Sequence, residues 1–279
     1  MLALFTNPIA GKGHALKSAA TVQTLLQAKG IPYQLFEAPW PAELEGISEA
    51  WIIGGDGTLN YFINQYRNIK IPMAIIPGGT GDDFAWHLYG DRSLESLIDY
   101  LCTAATPTPI DAGSCNEKFF LNSVGIGFDG EVLKSMSAIR AWGGHLGYLW
   151  VVIKQIFRFS EYSFTITVAN KRMQSRYLLV NIANAPRTGG GFMVSPLANS
   201  KDGALNLMTC SVLSVWKRLR YLPVIEKGKH LSLPFIEHRQ LQTVTIETDR
   251  PSFAQLDGEL IEARRYEIQV YPGRFLFRC

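Results

Sequence analysis

Apolar and polar positions change rhythm once along this chain. Over the first hundred residues, short apolar runs alternate with stretches spaced for helices. Residues 2–6 read as a buried strand, and residues 15–29 place Ala15, Ala19, Val22, Leu25 and Leu26 at helical spacing before Gly30 stops them. The same pattern predicts strands over 31–36, 50–53 and 73–76, and helices over 59–66 and from 82 to 88. Strands alternating with helices predict a parallel sheet covered on both faces, with ligands at the carboxyl ends of its strands. From about residue 111, β-branched and aromatic runs take over at 119–124, 162–168, 177–183, 204–210, 241–248 and 266–271. That rhythm predicts an antiparallel sandwich, with helical interruptions over 130–159 and 215–225. The fold expectation is therefore α/β plus all-β: a nucleotide-binding domain over 1–110 and a β-sandwich domain over 111–279.

Composition changes this picture little. Of the 279 residues, 47% are hydrophobic and 18% charged, enough apolar material for two packed domains. A net charge of +3 leaves no nucleic-acid footprint. The four cysteines, at positions 102, 115, 210 and 279, are too dispersed for zinc or a disulfide framework and suit reduced cytosolic thiols. The chain starts without a basic n-region, and its longest apolar run, 146–153, is about half of what crosses a bilayer. These features predict a soluble, cytoplasmic protein.

Chemistry concentrates in the string Gly54-Gly55-Asp56-Gly57-Thr58-Leu59-Asn60, which leaves a buried strand and opens a helix. Glycines let backbone N–H groups approach an anion, and the helix start adds a favourable dipole. Thr58 is expected to cap the helix or donate to a phosphate oxygen. Asp56 would repel a phosphate unless Mg²⁺ or an acceptor hydroxyl lies between them. Rival motifs are missing: there is no Walker A spacing around Lys12, no G-x-G-x-x-G opening the first helix, no H-E-x-x-H and no G-x-S-x-G.

Three segments together resemble the signatures of the diacylglycerol kinase catalytic family. They are Asn7-Pro8 with Gly11 and Gly13, the Gly54–Asn60 string, and Pro77-Gly78-Gly79-Thr80-Gly81-Asp82-Asp83-Phe84-Ala85. Gly125–Asp129, Asp202-Gly203-Ala204-Leu205 and Asp257-Gly258-Glu259 are similar to its later motifs, in order. The resemblance implies an active site in a cleft between the two domains, and a last strand returning to the first. It implies ATP against Asn7, Pro8 and Gly11, against Gly55, Asp56, Gly57, Thr58, Leu59 and Asn60, and against Thr80. Glu259 matches the proton acceptor for the lipid hydroxyl, with Asp257 and Asp56 as rivals for that role. A separate structural or regulatory Mg²⁺ is implied at Asp202, with carbonyls of Asn199 and Ala204.

The resemblance thus implies an ATP- and Mg²⁺-dependent lipid kinase, with direct attack of a lipid hydroxyl on the γ-phosphorus. Three positions depart from the family pattern: Tyr61 stands where Glu is usual, Asp82 where Asn is usual, and Phe36 where Thr is common. An NAD kinase-like phosphotransferase shares the Gly-Gly-Asp-Gly-Thr loop, and a binding sensor without turnover would keep the fold; both stay open. The lipid is expected from a membrane surface, so the protein should work peripherally at the inner membrane. Residues 215–222 mix basic and large apolar residues as interfacial segments do, and Trp142, His145, Tyr148, Leu149 and Trp150 are candidates for an acyl cleft. No motif names the lipid. Nothing in the sequence decides the oligomeric state, and a homodimer stays open.

Overall fold

The computed structural model describes residues 1–138 and 145–279, with side chains left out at 137, 138 and 145–148. The chain divides into two compact units. One comprises Met1–Ile110 and Gly273–Cys279, the other Asp111–Pro272.

In the first unit, strand β1 (Leu2–Thr6) is followed by a turn of 3-10 helix (Ala10–Gly13) and helix α1 (His14–Ala28). Then come β2 (Tyr33–Glu37), β3 (Glu49–Gly54), α2 (Asp56–Gln65), β4 (Met73–Pro77), α3 (Asp83–Tyr89) and α4 (Leu94–Thr103). β1 pairs in parallel with β2 and β3, and β3 with β4. The four strands are ordered β4-β3-β1-β2, and the chain's last segment pairs with β4 through Phe277 and Met73. β1, β3 and β4 are buried on both faces, which is why Leu4, Phe5, Ile52, Ile53, Ile75 and Ile76 stand in unbroken apolar runs. Ala15, Ala19, Val22 and Leu26 are the buried stripe of α1, and α2 buries Leu59, Phe62 and Ile63. Emptying one such site, as in Phe62→Ala, costs about 3–5 kcal/mol.

The second unit is antiparallel. β5 (Pro107–Cys115) enters it, followed by β6 (Lys118–Phe120), β7 (Ser123–Gly127), α5 (Phe128–Ala138), α6 (His145–Arg158), β8 (Tyr162–Val168) and β9 (Lys171–Ala183). β10 (Leu205–Ser211), α7 (Val215–Glu226), β11 (Ile236–Leu241), β12 (Thr243–Leu256) and β13 (Glu259–Arg278) complete it. β7 and β8 each pair with both long strands, β9 and β12, so these strands close around one core. That core holds Phe164, Ile166, Val180, Ile182, Ile246 and Tyr266. β12 shifts register between Glu247 and Ser252, and the buried Tyr266 hydroxyl serves the irregularity, donating to the Ser252 carbonyl (2.5 Å) and accepting from the Ala263 N–H (3.2 Å).

The expected strand over 119–124 is two strands, β6 and β7, split at Leu121 and Asn122. The expected strand over 241–248 ends one strand, β11, and begins the next, β12. Two-residue turns with positive φ at both positions join β5 to β6 (Asn116, Glu117), β8 to β9 (Ala169, Asn170) and β12 to β13 (Asp257, Gly258). Those are the backbone angles that suit the right-handed twist of a hairpin.

Candidate active site

Three glycine-rich turns meet at the carboxyl edge of β1, β3 and β4. After β1, the Asn7 side chain accepts the Ile9 N–H (3.3 Å), and the backbone then passes through positive φ at Gly11, Lys12 and Gly13. A Cβ at Gly11 would stand 2.3 Å from the Gly78 carbonyl oxygen. A Cβ at Gly78 would lie 3.0 Å from the Ala15 Cα, and one at Gly79 2.5 Å from the Gly55 Cα. No side chain fits between these turns, so what they present is backbone. The Ser18 hydroxyl ties α1 to the last carbonyl of β4 (2.9 Å).

Gly55 is the N-cap of α2, and the helix starts at Asp56, three residues before the expected start. Thr58 is therefore not a cap. It is the third helical residue, buried, with its side chain packed on Gly54, where a Cβ would come within 2.6 Å. Leu59 and Asn60 are buried too, so the side chains of this triplet do not face a ligand. The Leu59 N–H already bonds the Gly55 carbonyl (3.1 Å), which leaves the amides of residues 56–58 as those an α-helix start offers to an anion. Thr80, in the third turn, is exposed, whereas Asn7, Pro8, Gly11, Gly55 and Gly57 are half-buried.

Asp56 binds protein. Its two carboxylate oxygens accept the N–H groups of Asp83 (3.0 Å) and Phe84 (2.9 Å), capping α3 and fastening the second glycine turn to the third. Asp82, immediately before that helix, has φ +49° and accepts the Gly79 N–H (2.9 Å). Burial pushes its carboxyl up to about 6; the Asp56 charge adds to this, and the N–H groups of Gly79 and Gly78 oppose it. Tyr61 is 61% exposed, with its ring 5.7 Å from that of Trp40, whose indole donates to the Thr6 carbonyl (3.1 Å). Phe36 stacks on Phe5 (5.1 Å, 14° between planes).

In the second unit, Asp257 and Glu259 belong to one hairpin and behave differently. The Asp257 carboxylate is buried and accepts three backbone amides, from Leu121 (2.6 Å), Asn122 (2.9 Å) and Ser123 (3.0 Å). Glu259 is exposed, and its side chain makes no hydrogen bond or ion pair among the described residues. Asp202 accepts from the Ala204 N–H (3.1 Å) and the Gln240 amide (2.9 Å), while the Asn199 side chain accepts the Lys201 N–H (3.2 Å). One carboxylate and two carbonyls are an all-oxygen donor set of the kind Mg²⁺ prefers. Each Asp202 oxygen carries a single N–H in these bonds and keeps a lone pair for a cation, so these residues fit the ion.

One group here escaped the sequence reading, and another was read only as the end of a motif. Asp111 is buried and accepts the Gly203 N–H (2.7 Å), while its own N–H bonds the Ser200 carbonyl (2.8 Å), so it shapes the Asp202 turn from 92 residues away. Asp129, already noted within its motif, fills the space above Gly125, where a Cβ would lie 2.1 Å from its Oδ2. Burial of its carboxylate pushes the carboxyl up to about 7. Asn181 lowers it somewhat, although no hydrogen bond of normal geometry joins the two. Ser195 donates to the Asn181 side-chain oxygen (3.2 Å), leaving a buried polar cluster on this face of the sheet. Of the expected acyl-cleft residues, Trp142 and the side chains of His145 and Tyr148 lie outside the described residues, Leu149 is half-buried, and Trp150 is 53% exposed.

Residues 1–115 match the diacylglycerol kinase catalytic domain, and residues 122–277 match the YegS C-terminal NAD kinase β-sandwich-like domain. The diacylglycerol kinase of Mycobacterium tuberculosis strain H37Rv is 26% identical over 284 residues, covering 96% of this chain and 91% of its own. A Bacillus anthracis crystal structure described as a diacylglycerol kinase gives a TM-score of 0.74 at 22% identity, over 99% of this chain and 96% of that one. A second from the same organism gives 0.81 at 24% identity, over 99% and 94%. At those identities the structural likeness speaks for the fold: two domains, the second β-sandwich-like. With its C-terminal domain model spanning more than half of the residues and its N-terminal one most of the rest, the chain belongs to the diacylglycerol kinase family of phosphotransferases.

Proposed function

We propose that the protein transfers the γ-phosphoryl group of ATP to the hydroxyl of a diacylglycerol-like lipid at a membrane surface. The observation that carries this reading is the contact of the three glycine turns, which exposes backbone amides and the start of α2 where β1, β3 and β4 end. In phosphoryl transfer the protein supplies position and charge neutralisation more than covalent chemistry. The turns at Gly11, Gly55 and Gly79 hold the phosphates by backbone N–H groups, and the amides of residues 56–58 take the negative charge.

Asp56 in this reading positions rather than abstracts, because both its oxygens already hold the start of α3. Asp257 keeps the β12–β13 turn in shape, and Glu259, unengaged and exposed, accepts the proton of the attacking hydroxyl. Mg²⁺ when bound with ATP would neutralise charge between the phosphate oxygens. A further ion would be held by the Asp202 carboxylate with the carbonyls of Asn199 and Ala204. The cytoplasmic, inner-membrane setting belongs to the same proposal.

The test is to incubate the purified protein with γ-labelled ATP, Mg²⁺, and either NAD or mixed lipid vesicles. Label in the organic extract is the expected result. Label in NADP instead would replace this reading with the NAD kinase-like one, and label in neither would leave a binding protein without turnover. Mass spectrometry of products from a total lipid extract then names the acceptor.

A further inference from the structure

Among its described residues, helix α6 is apolar on both sides and packed on one. Val151, Val152 and Ile156 form a small core with Val132 and with the α7 residues Val215, Leu219 and Leu222. Gln155, on that buried side, reaches the Glu131 carbonyl (3.3 Å). The opposite arc carries Trp150 (53% exposed), Ile153 (36%) and Phe157 (57%), a stripe with the i, i+3, i+7 spacing of a single helix face. A surface helix ordinarily turns polar residues outward, so this outer stripe asks for a partner.

A second exposed apolar side chain stands on α7, the helix packed against α6. Arg218 of α7 is buried, and it donates to the carbonyls of Leu213 (2.9 Å), Ile156 (3.1 Å) and Phe159 (3.3 Å), with Glu161 as its ion partner. It therefore caps the carboxyl end of α6 and pins the first turn of α7 to it. Trp216, two residues earlier, is 77% exposed, more than any other Trp or Phe among the exposed large side chains.

Charge decides what the partner is. α6 contains no acid, and α7 has none before Glu226. Lys154, Arg158, Lys217 and Arg220 stand on these two helices, and none of the four makes an ion pair among the described residues. Lys154 lies over the Trp150 ring (5.4 Å), as a cation does at the rim of an aromatic anchor. Large aromatics with a ring of unpaired cations match an anionic lipid surface, whose headgroups take the cations while the rings enter the acyl boundary. α6 has 14 residues, about 21 Å of helix at 1.5 Å per residue, against a hydrocarbon core of about 30 Å. It can lie on a bilayer and cannot cross one. No helix among the described residues is long and apolar enough to do so.

We infer that the outer face of α6, with Trp216 of α7, is a docking surface for an anionic bilayer. The inference deepens the lipid-kinase reading by naming the surface that would meet the membrane, and it is tested without catalysis. The full chain is mixed, in the absence of ATP, with vesicles of phosphatidylcholine alone or with about one-third phosphatidylglycerol, and bound protein is sedimented. Binding to the anionic vesicles only is expected, with a blue shift of tryptophan emission, and it should weaken at least about tenfold between roughly 0.1 M and 0.5 M salt. Because Ile153, Phe157 and Trp216 are exposed, the triple variant Ile153→Ser, Phe157→Ser, Trp216→Ser should keep the wild-type melting temperature and lose about tenfold or more in binding. Equal binding by wild type and variant, or by both vesicle types, would overturn the inference. So would a wild-type dimer that ignores vesicles and falls apart in the variant, since the stripe would then be an interface between copies. On a short-chain lipid below its micelle concentration the variant should turn over like wild type. No turnover by either protein there would count against the kinase reading and leave the docking surface standing.

Discussion

Asp56 takes two backbone N–H groups, from Asp83 and Phe84, whereas Asp257 takes three, from Leu121, Asn122 and Ser123. Both precede a glycine, both lie in family motifs, and both are rivals of Glu259 for the proton of the acceptor hydroxyl. The structure separates them by occupation. Asp257 is buried and holds three amides; Asp56 is half-buried and holds two, beside turns made of backbone; the Glu259 side chain has no hydrogen bond or ion pair among the described residues. On the proposed reading, acids of the same motif class divide into clamps and a free base according to whether backbone amides already occupy them. A carboxylate whose oxygens already accept N–H groups has fewer lone pairs to offer a substrate hydroxyl.

The comparison can be broken most forcefully at Asp257. Asp257→Ala strands three amides that the carboxylate now serves, and should lower unfolding free energy by about 3–5 kcal/mol, read by urea titration. A loss below about 1 kcal/mol would mean that the clamp is not structural. Next in size is Gly79→Ala, whose Cβ would lie 2.5 Å from the Gly55 Cα. It should cost about 1–3 kcal/mol by overpacking and sharply weaken ATP binding in calorimetry. Unchanged affinity would detach the glycine contact from the phosphates.

Asp82 sharpens the same contrast through pH. Its folded value, about 6, lies above the ordinary 3.8, so its ionisation opposes folding. Stability is fully present below the ordinary value and is lost as pH rises through about 6. Asp82→Asn should therefore raise stability by about 3 kcal/mol at pH 8 and change nothing near pH 3, in melts at both pH values. The smallest expected effect is Asp56→Asn. One amide oxygen still accepts from α3, so it should cost about 0.5–1 kcal/mol, against about 1–2 kcal/mol for Asp56→Ala. Equal costs would show that the Asp56 charge, and not its hydrogen bonding, holds the third turn.

Local features of the chain were the legible ones. Gly54-Gly55-Asp56-Gly57 marked the passage from a buried strand to a helix, and the spacing of Ala15, Ala19, Val22 and Leu26 placed α1 within a residue. The turns at 116–117 and 169–170 lack the Asn-Gly or Asp-Gly signature, so the β5–β6 hairpin and the start of β9 at Lys171 were missed. Helix α4 went unread although Ser93 caps it by accepting the Ser96 N–H (3.2 Å) and Leu97, Ile98 and Leu101 are its buried stripe. The partners that settle the acids are non-local backbone groups, 27 residues from Asp56 and about 135 from Asp257. Arg218 was hidden for the same reason. In sequence it looks like one more cation of a basic edge, and only the distant Glu161 and the end of α6 make it a buried cap.

The central claim is that Glu259, and neither aspartate, is the base. Its most direct test is the transfer of label from ATP into the organic phase by Glu259→Gln, alongside a thermal melt of the same preparation. The account predicts a rate lower by about 10²–10⁴-fold, with ATP affinity and melting temperature as in wild type. Turnover within about threefold of wild type would contradict it, and would return the proton to Asp56 or Asp257 despite the amides they hold.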